Sequence, residues 1–224
     1  MIDARDLTAG YDPASPSLRN ASLQLGGGES LSVRGPSGSG KSTLLMVLAG
    51  ILTPLSGSVE IDGKSLFGLS VRERSRVRRE QIGFVFQFGE MLPELNVANN
   101  VAMPLLLAGV KKASALRSAA ELLERFGLGG YEGRDVRSLS GGELQRAAIA
   151  RSLVHRPALV LADEPTGALD EVNSRLILDE LLEGCAERGV VLVIATHDPL
   201  VAQGTKRCVM LRDGAFVEQS DLVP

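Results

Sequence analysis

The sequence is poor in several residue types, and each shortage narrows the protein classes to which it can belong. It has no tryptophan, and its two cysteines, Cys185 and Cys208, do not have the spacing of metal ligands. We therefore expect reduced structural thiols, one in a helix and one in a strand, rather than a disulfide framework. Positive charge is not in excess either, because the formal net charge is -3. Broad attraction to nucleic acid is thus missing, and no DNA or RNA partner is expected.

Long apolar stretches are also missing. The longest, residues 102–110 and 190–195, are much shorter than the roughly 20 residues that a membrane-spanning helix needs. The first residues show neither the basic start nor the apolar stretch of a signal peptide, so a cytoplasmic protein is expected. The chain does have 44% hydrophobic residues over 224 positions, which predicts one α/β domain with a sizeable core.

One glycine-rich stretch organises the rest of the chain. Residues 35–42 fit the template G-x-x-x-x-G-K-[ST] between a predicted strand, 30–34, and a predicted helix, 43–49. Glycines let the backbone wrap around an anion, and the free N–H groups at a helix start point toward it. Lys41 would reach the terminal phosphates, and the Ser42 hydroxyl is a candidate Mg²⁺ ligand. The predicted phosphate-binding residues are Gly35, Pro36, Ser37, Gly38, Ser39, Gly40, Lys41, Ser42 and Thr43.

Two apolar runs, 158–162 and 190–195, predict central parallel strands, and polar side chains follow both. Asp163 and Glu164 follow the first run, where two adjacent carboxylates need a partner that a Mg²⁺-nucleotide would supply. We expect Asp163 to hold the metal and Glu164 to polarise the attacking water. His197 follows the second run, where it could donate to a γ-phosphate.

Other polar residues give weaker signals. Residues 140–142, Ser-Gly-Gly, begin a helical pattern and predict a second anion site, again through free N–H groups. His155 follows that helix and is predicted to lie on the surface. Tyr11 is either a turn residue or a ring that stacks on a nucleobase. The arginine-rich segment 71–80 predicts a solvated helical face, with a contact for an acidic partner as the alternative.

The order of segments predicts the architecture. Short alternating strands at 2–7, 22–25 and 58–61 indicate an antiparallel layer, whereas helical spacing dominates 97–126. The predicted fold class is α/β, with a parallel-sheet core, an N-terminal antiparallel β layer and an inserted α-helical subdomain. The core is expected to comprise residues 1–87 and 155–224 of a single domain, and the helical subdomain residues 88–154.

Together these segments resemble the nucleotide-binding subunit of ATP-binding cassette transporters, over nearly the whole chain. The resemblance implies a P-loop NTPase fold that binds ATP and Mg²⁺. The motifs that carry it are the adenine-stacking Tyr11, the Walker A loop Gly35–Ser42, Gln87 of the Q-loop, the signature sequence Leu139–Gln145, Walker B Leu161–Glu164, the D-loop Ala168–Asp170 and the switch histidine His197.

The resemblance further implies a head-to-tail dimer of two cassettes. In such a dimer, Ser140, Gly141 and Gly142 of one chain cap the γ-phosphate that Lys41 of the other chain holds. The resemblance also places Glu143 and Asp170 at the nucleotide. Gln87 would join the Mg²⁺ shell and act with the catalytic residues Glu164 and His197.

A membrane partner is implied as well. The loop from Gln87 to Leu95, which includes Phe88, would contact a separate integral membrane permease, so the protein would be peripheral on the inner face of the cell membrane. Residues 82–88 and 161–167 resemble the branch that serves lipoprotein release, macrolide or peptide efflux, and cell division. Asn99 departs from that branch, which usually has an acidic residue there. The implied function is ATP hydrolysis that drives efflux or lipoprotein release; the alternative is a regulatory ATPase of a cell-division-type complex that moves no substrate.

Overall fold

The computed structural model of the chain describes residues 1–87, 89–167 and 169–217. Its strands are β1 (Ile2–Ala9), β2 (Leu18–Leu25), β3 (Ser30–Arg34), β4 (Ser56–Ile61), β5 (Lys64–Ser65), β6 (Ile82–Val85), β7 (Leu159–Asp163), β8 (Val191–Thr196), β9 (Arg207–Arg212) and β10 (Ala215–Val217). Its helices are α1 (Lys41–Leu48), α2 (Val71–Gln81), α3 (Val97–Leu107), α4 (Lys112–Arg125), α5 (Gly141–Leu153), α6 (Glu171–Ala186) and α7 (Pro199–Gly204), with a 3₁₀ turn at Val136–Ser138.

An antiparallel sheet is formed by four strands of the N-terminal part, in the order β2-β1-β4-β5. This confirms the predicted antiparallel layer. Strand β2 begins at Leu18 rather than at Ser22, because its pairing with β1 continues through Leu7↔Ala21 and Ala9↔Leu18. Alternate residues of both strands are buried, as expected for a sheet with one covered face.

The second sheet carries the predicted parallel core. Its order is β10-β9-β3-β8-β7-β6, and all pairs except the β9-β10 hairpin are parallel. Every residue of β8 is buried, which is typical of a central parallel strand. The register pairs Arg34 with Thr196 and Asp163 with Ala195, so β3, β7 and β8 end at the same edge. The fold thereby gathers at one edge the glycine-rich loop and the polar residues that follow β7 and β8.

Two apolar clusters cover the faces of this sheet. Leu161 and Val193 join a cluster with α1 and the antiparallel sheet, whereas Val160 and Leu192 join a cluster with α3, α4, α5 and α6. Successive strand residues point to opposite faces, so the apolar runs serve both clusters. The mixed α/β fold class is confirmed, and the exact division into core and helical subdomain stays a prediction.

The positions of the two cysteines and of His155 were also predicted from the sequence. Cys185 lies in α6 and Cys208 in β9, as predicted, and burial raises the pKa of Cys185 to about 12. His155 was predicted to lie on the surface, but it is half-buried: Nε2 donates to the Ile82 carbonyl of β6 at 3.2 Å, and Nδ1 is buried. Among the described residues, no helix is both long enough and apolar enough to cross a bilayer.

Candidate active site

The glycine-rich loop lies between β3 and α1 and packs too tightly for side chains at two of its glycines. Gly40 has a φ of 104°, and a Cβ there would lie 2.3 Å from the Ser17 carbonyl oxygen. A Cβ on Gly35 would lie 2.2 Å from the carbonyl oxygen of Leu211. Only glycine fits these positions, because the loop is pressed against β9 and the segment before β2.

Lys41 begins α1, and its ammonium group folds back across the loop. Its Nζ donates to the carbonyl oxygens of Gly35 at 2.7 Å and of Pro36 at 3.1 Å. The positive charge therefore lies over the same backbone whose N–H groups would bind an anion. The charge and the helix start together can bind a phosphate group.

Ser42 and Asp163 are 121 positions apart in the sequence and in direct contact in the fold. The Ser42 hydroxyl donates to Asp163 Oδ2 at 3.0 Å. Burial raises the pKa of Asp163, and the Ser42 hydrogen bond offsets part of that rise. A hydroxyl and a carboxylate are hard oxygen ligands of the kind that suits Mg²⁺. The described residues contain no group of three or more acidic, histidine or cysteine ligands, and Mg²⁺ is commonly held by only one or two carboxylates.

Glu164 adopts a left-handed backbone conformation with a φ of 46°, which is uncommon for a residue with a side chain. This turn directs the carboxylate to the end of β8. There Oε2 accepts from the Thr196 hydroxyl at 3.0 Å and from the His197 N–H at 3.4 Å, and Oε1 lies 2.7 Å from His197 Nδ1. An ionised carboxylate only accepts hydrogen bonds, so Nδ1 is the protonated nitrogen of that contact. Glu164 and His197 are thus brought together, as strained residues often are at functional sites.

Gln87 follows β6, and its side-chain amide packs against the turn after β7, where a Cβ on Gly167 would lie 2.9 Å from Gln87 Nε2. Tyr11 is 75% exposed, and its hydroxyl lies 2.9 Å from the sulfur of Met46 on α1. The tyrosine therefore lies beside the C-terminal half of α1.

The second predicted anion site lies in the helical layer. Ser140 is the N-cap of α5, and its backbone and side chain form a reciprocal capping box with Glu143. Gly141 and Gly142 form the first turn. The D-loop region lies close to them, since a Cβ on Gly141 would be 3.4 Å from Leu169 Cδ2.

Asp170 caps the neighbouring helix α6. Its carboxylate accepts from the Asn173 N–H at 2.9 Å and from the Asn173 side-chain amide at 2.6 Å. These bonds, the backbone one first, lower the pKa of Asp170. Ala168 of the predicted D-loop and Phe88 of the predicted docking loop lie outside the described residues.

Gln145 connects α5 to the ends of β6 and β7, and the sequence had indicated no separate role for it. Its side chain is 2% exposed, and Nε2 donates to the Pro165 carbonyl at 2.7 Å and to the Phe86 carbonyl at 3.1 Å. It therefore ties α5 to the chain segments that follow β6 and β7. No spacing rule could have identified it, because its partners lie 59 and 20 positions away.

Two further side chains fix the loop that follows Gln87. Asn100 is fully buried, and its amide accepts from the Leu92 N–H at 2.7 Å and donates to the carbonyls of Leu92 and Leu95, both at 3.0 Å. Arg151 donates to the carbonyls of Gly89 at 2.7 Å and Glu90 at 2.8 Å. The loop is thus held from two helices, α3 and α5.

A cavity of about 440 Å³ opens beside this loop, between α2, β6, α3 and the end of α5. The rings of Phe84 and Phe86 stack at its wall with centroids 5.4 Å apart. Its charged lining residues are Arg78, Arg79, Arg151 and Glu90. Cations therefore outnumber anions in the lining.

Comparisons with known proteins agree with this arrangement. The family model described as ABC transporter matches residues 18–167. The lipoprotein-releasing system ATP-binding protein LolD 2 of Caulobacter vibrioides is 46% identical over 199 residues, which cover 89% of this chain and 87% of that protein. The macrolide export ATP-binding/permease protein MacB of Syntrophobacter fumaroxidans is 41% identical, over all of this chain but 32% of MacB. A solved dimeric ATP-binding cassette, MJ0796 in a post-hydrolysis state bound to ADP and Pi, is 35% identical with a TM-score of 0.84, and the match covers 97% of both chains.

Proposed function

The chain belongs to the ABC transporter family and is one of its ATP-binding, ATP-hydrolysing subunits, and from this premise we propose how its sites act and what they drive. The observation that carries the proposal is the arrangement of side chains at one edge of the parallel sheet. There the glycine-rich loop, the Ser42–Asp163 contact and the Glu164–His197 contact lie at the ends of adjacent strands.

The first half of the site binds the nucleotide. Residues Gly35–Thr43 surround the phosphates, the Lys41 ammonium turns from the loop carbonyls to the terminal phosphates, and Tyr11 stacks on the adenine. Ser42 and Asp163 would hold Mg²⁺, and Gln87 would join them. The ion would supply positive charge beside the phosphate oxygens.

Glu164 is the general base. Thr196 and His197 fix its carboxylate at 3.0 Å and 2.7 Å, so its orientation is set before the water arrives. His197 is 73% exposed at its side chain, which leaves Nε2 free to contact the γ-phosphate. The left-handed turn at Glu164 serves this purpose, because it bends the carboxylate toward the end of β8.

The second half of the site comes from a second copy of the chain. Lys41 begins a helix on one face of the parallel sheet, whereas Ser140, Gly141 and Gly142 begin a helix on the other face. In a head-to-tail dimer each start of α5 faces the glycine-rich loop of the other chain, with Asp170 and Glu143 at the rim. The dimeric state of the similar cassette MJ0796 supports this arrangement.

A permease binds at the cavity beside the Gln87–Leu95 loop. The stacked Phe84 and Phe86 rings and the excess of arginines suit a segment that carries both apolar and acidic side chains. The LolD relatives are named as ATP-binding proteins alone, which supports a separate permease chain. With such a partner, this subunit would be peripheral on the inner face of the cell membrane. The Q-loop thereby connects the permease to the nucleotide site.

The direct test of the site is Glu164→Gln. We expect ATP binding to persist and phosphate release to slow by roughly 10² to 10⁴, because a general base contributes about that much. The variant should accumulate as an ATP-bound dimer in size-exclusion chromatography. A phosphate-release rate close to that of the unmodified chain would contradict the role of Glu164.

The direct test of the transported cargo needs the permease. Co-purification from membranes identifies it, and reconstitution of both in vesicles measures substrate movement and ATP turnover together. Movement that requires ATP supports a transporter of the lipoprotein-release or efflux kind. ATP turnover without any movement would favour the regulatory, cell-division-type alternative.

A further inference from the structure

We propose that Tyr131 is a positioning residue for the signature serine. It holds the carboxylate of Glu143 so that the Ser140 hydroxyl can turn from Glu143 to the γ-phosphate bound by the partner chain. The inference rests on the proposed head-to-tail site. It adds a residue to which sequence reasoning gave no role.

The hydrogen bonds around Ser140 show what must change when a phosphate binds. Glu143 Oε2 accepts from the Ser140 hydroxyl at 2.8 Å and from the Ser140 N–H at 2.7 Å. A serine hydroxyl has one proton, and that proton is directed at Glu143. Ionised phosphate oxygens only accept hydrogen bonds, so the hydroxyl must leave the carboxylate in order to donate to them.

Tyr131 makes this exchange possible. Its hydroxyl donates to Glu143 Oε1 at 2.8 Å, so the carboxylate keeps two donors, Tyr131 and the Ser140 N–H, after the serine proton has turned away. The bonds from the Ser140 backbone and side chain and from Tyr131 lower the pKa of Glu143. The residue is therefore ionised at neutral pH, and its charge must stay satisfied when it lies next to a phosphate.

A second capping box in the same chain shows that capping alone does not need the tyrosine. At the start of α2, Glu73 Oε2 accepts from the Ser70 N–H at 3.0 Å and from the Ser70 hydroxyl at 2.6 Å. Within the described ranges, no tyrosine donates to Glu73. Both helices are capped in the same way, so the additional donor at Glu143 serves something other than helix formation.

The tyrosine is itself held in place. The Arg134 guanidinium lies over the tyrosine ring, 3.6 Å from its centroid. The backbone N–H of Tyr131 donates to the Leu128 carbonyl at 3.1 Å. The ring also packs against the apolar cluster of the helical layer. Its hydroxyl is thus aimed at Glu143 by contacts that do not involve Ser140.

The experiment measures ATP-driven dimerisation of the full chain in the Glu164→Gln background. The dissociation constant of the dimer is determined by analytical ultracentrifugation with ATP and Mg²⁺ present. We expect Tyr131→Phe to weaken the dimer roughly tenfold, because at each of the two sites the Glu143 carboxylate would keep one donor rather than two after the Ser140 hydroxyl has turned away. Ser70→Ala is the matched control, since it disrupts the other capping box and should leave the dimer constant unchanged.

A second variant separates positioning from packing. Glu143→Gln keeps a side-chain oxygen for capping but removes the charge, so adding Tyr131→Phe to it should change the dimer constant by less than about twofold. Equal weakening by Tyr131→Phe in both backgrounds, or a lowered melting temperature with an unchanged dimer constant, would overturn the role of Tyr131. A Glu164→Gln parent that never dimerises with ATP would overturn the head-to-tail site as well.

Discussion

At the scale of single residues, the ionised Asp163 carboxylate of the candidate site lowers the stability of the fold. Its carboxylate is half-buried at the end of β7 beside Glu164, and burial is the main reason that its pKa is raised. The folded chain therefore binds a proton at Asp163 more tightly than the unfolded chain does. Stability falls as the pH rises from about 3.8 through the raised pKa, and above that window the ionised carboxylate destabilises the fold.

Asp163→Asn is predicted to raise the melting temperature at pH 7 and to abolish ATP hydrolysis. The amide oxygen still accepts from Ser42, but the buried negative charge that would hold Mg²⁺ is gone. The stabilisation should shrink as the pH is lowered toward about 3.8, because the carboxyl of the unmodified chain is then protonated. Thermal melts of both chains, measured at steps of about one pH unit from about pH 3.5 to about pH 7.5, check this.

The control for that prediction is Asp170→Asn. Hydrogen bonds from Asn173 lower the pKa of Asp170, so its ionised form stabilises the fold at neutral pH and loses that effect as the pH falls. The asparagine variant should therefore show no gain at pH 7. A gain for Asp163→Asn that persists unchanged into acid would contradict the burial argument.

At the scale of elements, Asn100 is the side chain that ties α3 to the loop between β6 and α3. Asn100 makes its hydrogen bonds to the backbone of residues 92–96 while fully buried in α3. Removing it takes several hydrogen bonds from loop backbone that is at most partly buried, and each such bond contributes about 0.5–1.5 kcal/mol. The loop would also lose its tie to the helix beside the proposed permease cavity.

Asn100→Ala is therefore predicted to lower the free energy of unfolding by about 1–3 kcal/mol and to speed proteolysis within residues 89–96. Urea denaturation and limited proteolysis with peptide identification measure the two effects. The neighbouring Asn99→Ala is the matched control, because among the described residues the Asn99 side chain bonds only to the half-buried Asn96 side chain. If both variants lost the same stability, the loop would not depend on Asn100.

Elements and motifs with a strong local pattern were predictable. The apolar runs predicted β7 and β8, and the polar residues after both strands do meet at one sheet edge. The glycine template predicted α1, although this helix begins at Lys41 rather than at Thr43. Their contact follows from parallel strands having a common carboxyl edge, so even Ser42 and Asp163 could be placed together. The antiparallel layer and the family were also predictable from the order of the segments.

Single polar side chains in the helical layer were not predictable. Asn100, Gln145 and Tyr131 have partners that depend on how loops pack over α3 and α5, and one side chain carries no periodicity. His155 was misplaced for the same reason. A residue just after a helix is usually exposed, but here the ring is half-buried and bonds to the Ile82 carbonyl of β6.

At the scale of the whole molecule, each chain has two unlike helix starts that we propose to bind anions. The start of α1 has the Lys41 charge, whereas the start of α5 has glycines and a serine hydroxyl. Neither alone surrounds a nucleotide, and the proposed head-to-tail dimer joins one of each in every site. The contact is reciprocal, because the start of α1 in each chain faces the start of α5 in the other, so a two-fold symmetric dimer would contain two equivalent sites.

That arrangement predicts complementation between two inactive chains. Lys41→Ala removes the phosphate charge. Gly142→Asp puts an anion where the phosphate binds without disturbing α5, because an acidic residue in the first turn suits a helix and the nearest atom to its Cβ lies 3.8 Å away. In a mixed dimer, one site contains both defects and the other contains neither. Equal mixing makes half the dimers mixed, with one intact site of two, so roughly a quarter of the normal ATPase rate should return.

The measurement is phosphate release by each variant alone and by the mixture at the same total concentration. Each chain alone should be nearly inactive, and activity should rise on mixing as subunits exchange. The double variant that carries both substitutions in one chain, mixed with either single variant, is the control, because no such pair can form an intact site. If Lys41 and Gly142 of the same chain served one site, mixing the single variants would restore nothing, and the head-to-tail dimer would have to be abandoned.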